Sequence, residues 1–157
     1  MRWLLVFLLA CSAPVKPSVT HLPATKLMDG DSSFIASERY KGSVVVLDFW
    51  AGWCAECKRS VPQVARLAKK FLAEGLVVVG VNAGDERAVA ARYAAELGIA
   101  YPIALDPELE LSDKLGGGRL PLLVVIDRDG SIVHRAKGVD EETLRVIRKL
   151  LHSPTAR

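Results

Sequence analysis

Three apolar runs, at residues 44–49, 76–81 and 122–126, dominate the hydrophobic pattern of this chain. They are short, rich in valine and isoleucine, and show no polar alternation, which is typical of strands covered on both faces of a sheet. A shorter strand is expected at residues 101–105. These segments predict the centre of a sheet rather than an amphipathic surface.

A hairpin and a final helix are expected after the third run. The sequence Asp-Arg-Asp-Gly at residues 127–130 is a turn signal, which predicts that residues 131–136 return as an antiparallel strand. Asp140 can cap a helix with acidic residues in its first turn and basic residues in its last turn. That charge order suits the helix dipole.

Two further helices are expected between the strands. Apolar residues recur every three or four positions over residues 61–72, and Gly75 closes that segment. Asp85 is expected to cap a second helix that ends at Gly98. Strands alternating with helices, followed by a hairpin and a last helix, predict an α/β fold with one central mixed sheet and helices on both faces.

Length, composition and charge narrow the classes of function. The chain has 157 residues, half of them apolar, which is enough for one core. Its formal charge of +3 is spread along the sequence without a basic stripe interleaved with aromatic residues, so nucleic-acid binding is not expected. No long apolar stripe is left outside the predicted core, so a monomer is expected.

The predicted organisation begins with a signal and lipobox at residues 1–11 and a proline-containing tether at residues 12–26. A single domain follows at residues 27–152, with a tail at 153–157. The apolar run after Arg2 is far shorter than the roughly 20 residues needed to span a bilayer as a helix, but it fits the apolar region of an export signal.

The end of that leader, Leu8-Leu9-Ala10-Cys11, resembles a bacterial lipobox. The cysteine of such a motif carries the lipid, so Cys11 is the expected lipidation site and a lipid anchor the expected membrane attachment. Cleavage after Ala13 by ordinary signal peptidase, and a free thiol in a frayed terminus, remain open alternatives.

The strongest chemical signal is Cys54-Ala55-Glu56-Cys57, placed between a buried strand and a helix. A zinc site needs about four ligands, and the remaining cysteine is in the leader. A thiol at a strand-to-helix junction instead lies near unpaired helix N–H groups, which favour the thiolate. The motif therefore predicts reversible dithiol/disulfide chemistry. An inert disulfide and a metal site are the alternatives.

Several stretches resemble thioredoxin-fold proteins, and more closely the envelope TlpA/ResA-like thiol–disulfide oxidoreductases. They are the segment VVLDFWAGWCxxC at residues 45–57, Pro62, the segment LPLLVVIDRDG at residues 120–130, and residues 28–42, which look like the N-terminal β-hairpin extension of that family. The resemblance covers nearly all of residues 27–152. It implies a thioredoxin-like fold with no bound cofactor, because the electrons reside in the cysteine pair.

The resemblance also implies roles for the two cysteines and for Asp48. Cys54 would attack a substrate disulfide, and the more buried Cys57 would resolve the mixed disulfide. Asp48 is an acid within an apolar run, so burial should raise its pKa and allow it to accept the proton of Cys57. An acid that only bonds the backbone at a strand end is the alternative.

Substrate contacts and redox tuning are expected around the cysteines. The Leu120–Pro121 peptide bond is cis in the family, and the backbone beside it pairs with an extended substrate. Trp53 is expected to form a wall of the site. Ala55 and Glu56 should tune the potential.

Three further positions bear on the kind of function. Trp50 should pack in the core. Ser60 stands where reductases of cytochrome c maturation often carry an acid, which disfavours that specialised role. His134 leaves a copper-chaperone-like binding module as an alternative function, because such proteins use two cysteines and a distant histidine. Their cysteines are typically separated by three residues, whereas here the separation is two.

Together these patterns predict an enzyme of the bacterial cell envelope that reduces protein disulfides. Its partners would be protein clients and an upstream thiol donor, with no metal ion. A disulfide oxidase or isomerase is a further alternative.

Overall fold

The computed structural model describes residues 19–23, 26–29, 34–116 and 118–153. The predicted signal and lipobox at 1–11, including Cys11, lie outside these residues, as does most of the predicted tail. In the described part of the chain no helix combines the length and the apolar character needed to cross a bilayer.

In the described residues, seven strands form one mixed sheet, in the order β2-β1-β5-β4-β3-β6-β7. They are β1 Lys26–Asp29, β2 Phe34–Ala36, β3 Val45–Trp50, β4 Val77–Ala83, β5 Ile103–Asp106, β6 Leu122–Ile126 and β7 Ile132–Ala136. Strand β4 runs parallel to both β3 and β5, and all other neighbours are antiparallel. The predicted α/β class and the hairpin of β6 and β7 are confirmed.

Four α-helices of the described ranges cover the sheet. They are α1 Cys57–Phe71, α2 Arg87–Leu97, α3 Glu110–Gly116 and α4 Glu141–His152. Side chains of α3 pack in one core cluster with the odd-numbered residues of β3. Even-numbered residues of β3 pack with α1, α4 and α2 on the other face. This alternation follows from the two-residue period of a strand and confirms helices on both faces.

The helix ends test the capping predictions. Gly98 ends α2 in the left-handed conformation, and Gly75 has the same conformation after a 3-10 turn that follows α1. The Asp140 carboxylate accepts the Thr143 N–H at 2.7 Å, as expected of a cap. The prediction for Asp85 is wrong, because α2 starts at Arg87 and Glu86 occupies its cap position.

Two elements differ from the sequence prediction. The pattern contains no sign of α3, because its seven residues are too few to establish a helical period. Strand β5 begins at Ile103, so Tyr101 precedes it and places its side chain in the core.

The N-terminal part of the described chain lies along the sheet edge formed by β7. The Ile132 N–H donates to the Thr20 carbonyl at 2.7 Å, and the Leu22 N–H donates to the Gly130 carbonyl at 2.8 Å. These contacts fall inside the segment predicted as a tether, residues 12–26. Strands β1 and β2 pair antiparallel beside β5, while their assignment to the hairpin extension of the family stays a prediction.

Candidate functional site

A disulfide between Cys54 and Cys57 lies where β3 passes into α1. The Cα atoms are 5.3 Å apart, Cys54 is 6% exposed and Cys57 is fully buried. Helix α1 begins at Cys57, whose backbone N–H donates to the Cys54 sulfur at 3.2 Å. A thiolate at Cys54 would therefore meet an N–H donor and the positive end of the helix dipole, which both lower a thiol pKa.

The loop before Cys54 is held by a polar cluster at the end of the neighbouring parallel strand. The Asp85 carboxylate accepts the Gly52 N–H at 2.6 Å and the Asn82 side-chain amide at 2.8 Å. A Cβ at Gly52 would lie 2.3 Å from the Tyr93 ring, so a larger residue would force that ring to shift. This role of Asp85 does not follow from its place before a predicted helix, although the polar Asn82 at the end of an apolar run is a signal for it.

Asp48 lies in the core on the face of β3 that also carries Trp50. Its carboxylate accepts a hydrogen bond of 2.6 Å from the Tyr101 hydroxyl. Burial raises the pKa of Asp48 to about 6, an effect that the Tyr101 bond partly opposes. The buried position expected for Asp48 is confirmed, and its proton-accepting role stays a prediction.

Tyr101 reaches Asp48 because Gly80 leaves room for its ring. Gly80 is paired with Asp48 across β3 and β4, and a Cβ there would lie 3.1 Å from the Tyr101 ring. Burial and the adjacent carboxylate raise the pKa of Tyr101, so its hydroxyl remains a donor. The sequence pattern predicts Tyr101 only as a strand residue.

The two tryptophans beside the motif differ in exposure. Trp50 is fully buried in one apolar cluster with both cysteines, as expected. Its indole Nε1 has no hydrogen-bond partner within the described ranges. Trp53 is 63% exposed. It borders a groove of about 1160 Å³ together with Leu120 and Pro121.

The predicted substrate and tuning residues surround the disulfide. The Leu120–Pro121 peptide bond is cis, as the resemblance implied. Ala55 and Glu56 are exposed, and the Glu56 carboxylate forms an ion pair with Arg59. Arg59 thus offsets part of the negative charge near Cys54, although so exposed a pair contributes less than about 1 kcal/mol.

Ser60 and His134 are both engaged in local contacts. The buried Ser60 hydroxyl donates to the Cys57 carbonyl at 3.4 Å. His134 lies on β7, with Nε2 3.0 Å from the Thr143 hydroxyl at the start of α4.

Comparisons with known proteins agree with this geometry. A family model described as Redoxin matches residues 16–151. The thiol-disulfide oxidoreductase ResA of Bacillus subtilis (strain 168) is 29% identical over 122 residues, covering 78% of this chain and 68% of that protein. ResA of Geobacillus thermodenitrificans (strain NG80-2) is 30% identical over 93 residues, covering 59% of this chain and 53% of that relative. The solved structure of a DsbF homologue from Corynebacterium diphtheriae has a TM-score of 0.71 at 24% identity, covering 85% of this chain and 86% of that chain.

Proposed function

Because the chain belongs to the Redoxin family, within which it is a TlpA/ResA-like thiol–disulfide oxidoreductase with a thioredoxin fold, we propose that it reduces protein disulfides in the bacterial cell envelope. One observation carries the proposal. The Cys54–Cys57 disulfide lies at the N-terminus of α1, where the Cys57 N–H donates to the Cys54 sulfur. Trp53, the neighbour of Cys54 in the chain, borders the groove that also contains Leu120 and Pro121.

In the proposed reaction the dithiol form starts with a Cys54 thiolate that attacks one sulfur of a client disulfide. A bond forms between Cys54 and that sulfur, and the other client sulfur leaves as a thiolate and takes up a proton. Cys57 then loses its proton and attacks Cys54. The bond between Cys54 and the client sulfur breaks, and that sulfur leaves as a thiolate and takes up a proton, so the client is released as a dithiol. The two electrons that reduce the client come from the two cysteines, which end as the Cys54–Cys57 disulfide. An upstream thiol donor restores the dithiol.

Asp48 supports the second step. Cys57 is fully buried, so bulk water cannot readily take its proton. Asp48 lies on the face of the sheet that α1 covers, and α1 carries Cys57. With a pKa of about 6, its carboxylate is a base of suitable strength near neutral pH. The Tyr101 hydroxyl donates to one oxygen of this carboxylate at 2.6 Å.

The direction of electron flow is tested by the reduction potential of the Cys54–Cys57 couple, measured by equilibration with glutathione or dithiothreitol. We expect a potential near or below about −250 mV, in the range of thioredoxin. A potential above about −180 mV would instead identify an oxidase or isomerase. The absence of any reversible couple would favour a binding module without turnover. Stoichiometric binding of Cu(I) that depends on His134 would then identify that module.

Attachment to the membrane is proposed through a lipid on Cys11, on the basis of the lipobox-like sequence at residues 8–11. Cells expressing the full chain should incorporate radiolabelled palmitate into this protein, and Cys11→Ser should lose the label while keeping disulfide reductase activity. Labelling that survives Cys11→Ser would contradict the anchor, and export without label would favour cleavage after Ala13.

A further inference from the structure

The groove beside the disulfide combines an apolar floor with a basic rim. Trp53, Leu120, Pro121 and Leu122 supply apolar surface, and the volume of about 1160 Å³ is large enough for several residues of an extended peptide. A smaller recess shares Leu120, Pro121 and Lys137 with this groove. A client segment lying along Leu120 and Pro121 would therefore pass close to Lys137.

The charge of the rim is strongly one-sided. Four of its side chains are basic and one is acidic. The basic ones are Lys114, Arg119, Arg135 and Lys137, and the acidic one is Asp113. Lys114 lies 3.8 Å from the Glu110 carboxylate, which partly neutralises it. Arg135 donates to the carbonyls of Val19 and Leu115, neutral acceptors that leave its charge uncompensated.

Arg119 and Lys137 are the two cations available to a ligand. Both side chains are exposed, and neither forms an ion pair with a carboxylate of the described residues. Arg119 directly precedes the Leu120–Pro121 bond, and Lys137 directly follows β7. They thus border the groove from two elements, next to the backbone that an extended client would pair with.

We propose, resting on the function above, that this groove selects client segments that carry acidic residues next to their disulfide. Arg119 and Lys137 attract those residues, while Trp53 and Leu120 cover the apolar part of the segment. Because both cations are exposed, the effect is mainly on the rate of encounter and must weaken with salt. The acidic charge belongs to an extended protein segment, since the groove is apolar along its floor and lies beside the reactive sulfur.

The test uses three peptides that share one internal disulfide and a fluorophore–quencher pair, and that differ only in two flanking residues, Glu, Gln or Lys. The protein is reduced, freed of reductant and mixed with each peptide in a stopped-flow instrument under single-turnover conditions. At about 20 mM salt we expect the Glu peptide to react about tenfold faster than the Gln peptide, and the Lys peptide to react slowest. At about 0.5 M salt the three rates should agree within about twofold.

Charge reversal identifies the residues. The double variant Arg119→Glu and Lys137→Glu should invert the order, so that the Lys peptide reacts faster than the Glu peptide. Arg148→Glu with Lys149→Glu is the matched control. It changes the net charge equally on the exposed face of α4 and should keep the tenfold preference for Glu.

Each other outcome overturns the proposal. Equal rates for the three peptides would remove the selectivity while leaving the oxidoreductase function intact. No reduction of any peptide would contradict the function itself. If the α4 control also inverted the order of the peptide rates, the effect would be due to overall charge. If anionic phospholipid vesicles inhibited the protein and the peptides showed no selectivity, the groove would bind a lipid surface instead.

Discussion

Cys54→Ser is expected to lower the rate of insulin-disulfide reduction at least about a thousandfold. A serine hydroxyl at this position cannot supply the thiolate that attacks the client disulfide, and the N–H of Cys57 cannot compensate for so high a hydroxyl pKa. The measurement is the rate at which insulin precipitates in dithiothreitol, corrected for the rate without protein. A variant that kept a tenth or more of the activity would exclude Cys54 as the nucleophile.

Cys57→Ser is the matched variant that separates attack from resolution. Cys54 should still attack, but the mixed disulfide should persist because no second thiol releases the client. Non-reducing electrophoresis and mass spectrometry should show a covalent adduct at Cys54. Cys11→Ser, which changes the cysteine outside the motif, should form no adduct and should keep the activity.

Asp48→Asn is expected to stabilise the oxidised protein by about 3 kcal/mol at pH 8 and by almost nothing at pH 4. Burial raises the pKa of Asp48 from 3.8 to about 6, so the folded protein binds more protons than the unfolded chain between these pH values. The cost of the buried charge is therefore absent below about pH 4 and rises to about 3 kcal/mol above about pH 6. The asparagine amide oxygen can still accept the Tyr101 hydroxyl.

Urea unfolding of the wild type and the variant at both pH values measures this effect. Tyr101→Phe is the opposing control, because it removes the bond that favours the charged form. It should destabilise the protein more at pH 8 than at pH 4. Identical pH dependence of the wild type and Asp48→Asn would show that Asp48 does not titrate between these values.

The central strands and the reactive pair could be predicted from the sequence because their signals are local. The apolar runs at residues 44–49 and 122–126 predict covered strands, and the structure has strands at Val45–Trp50 and Leu122–Ile126. An isolated pair of cysteines at a strand-to-helix junction excludes most metal sites. The resemblance added the cis Leu120–Pro121 bond, which no hydrophobic pattern indicates.

The partners of the polar groups could not be predicted in this way. Asp85 has the residue type and spacing of a helix cap, yet its carboxylate binds the Gly52 N–H, 33 residues earlier in the chain. The residues next to Asp85 in the chain carry no information about which distant loop packs against it. The same holds for Tyr101, whose hydroxyl meets Asp48 across 53 residues.

The sequence by itself therefore determined the central strands, the main helices and the chemistry of Cys54 and Cys57, because periodicity and thiol spacing act within a few residues. Only the tertiary structure decided which groups surround that chemistry. It placed Tyr101 on the Asp48 carboxylate and brought Arg119 and Lys137 to one groove. The physical reason is that burial, pKa and surface charge depend on the neighbours of a group in space. Strand pairing makes neighbours of residues that are far apart in the chain.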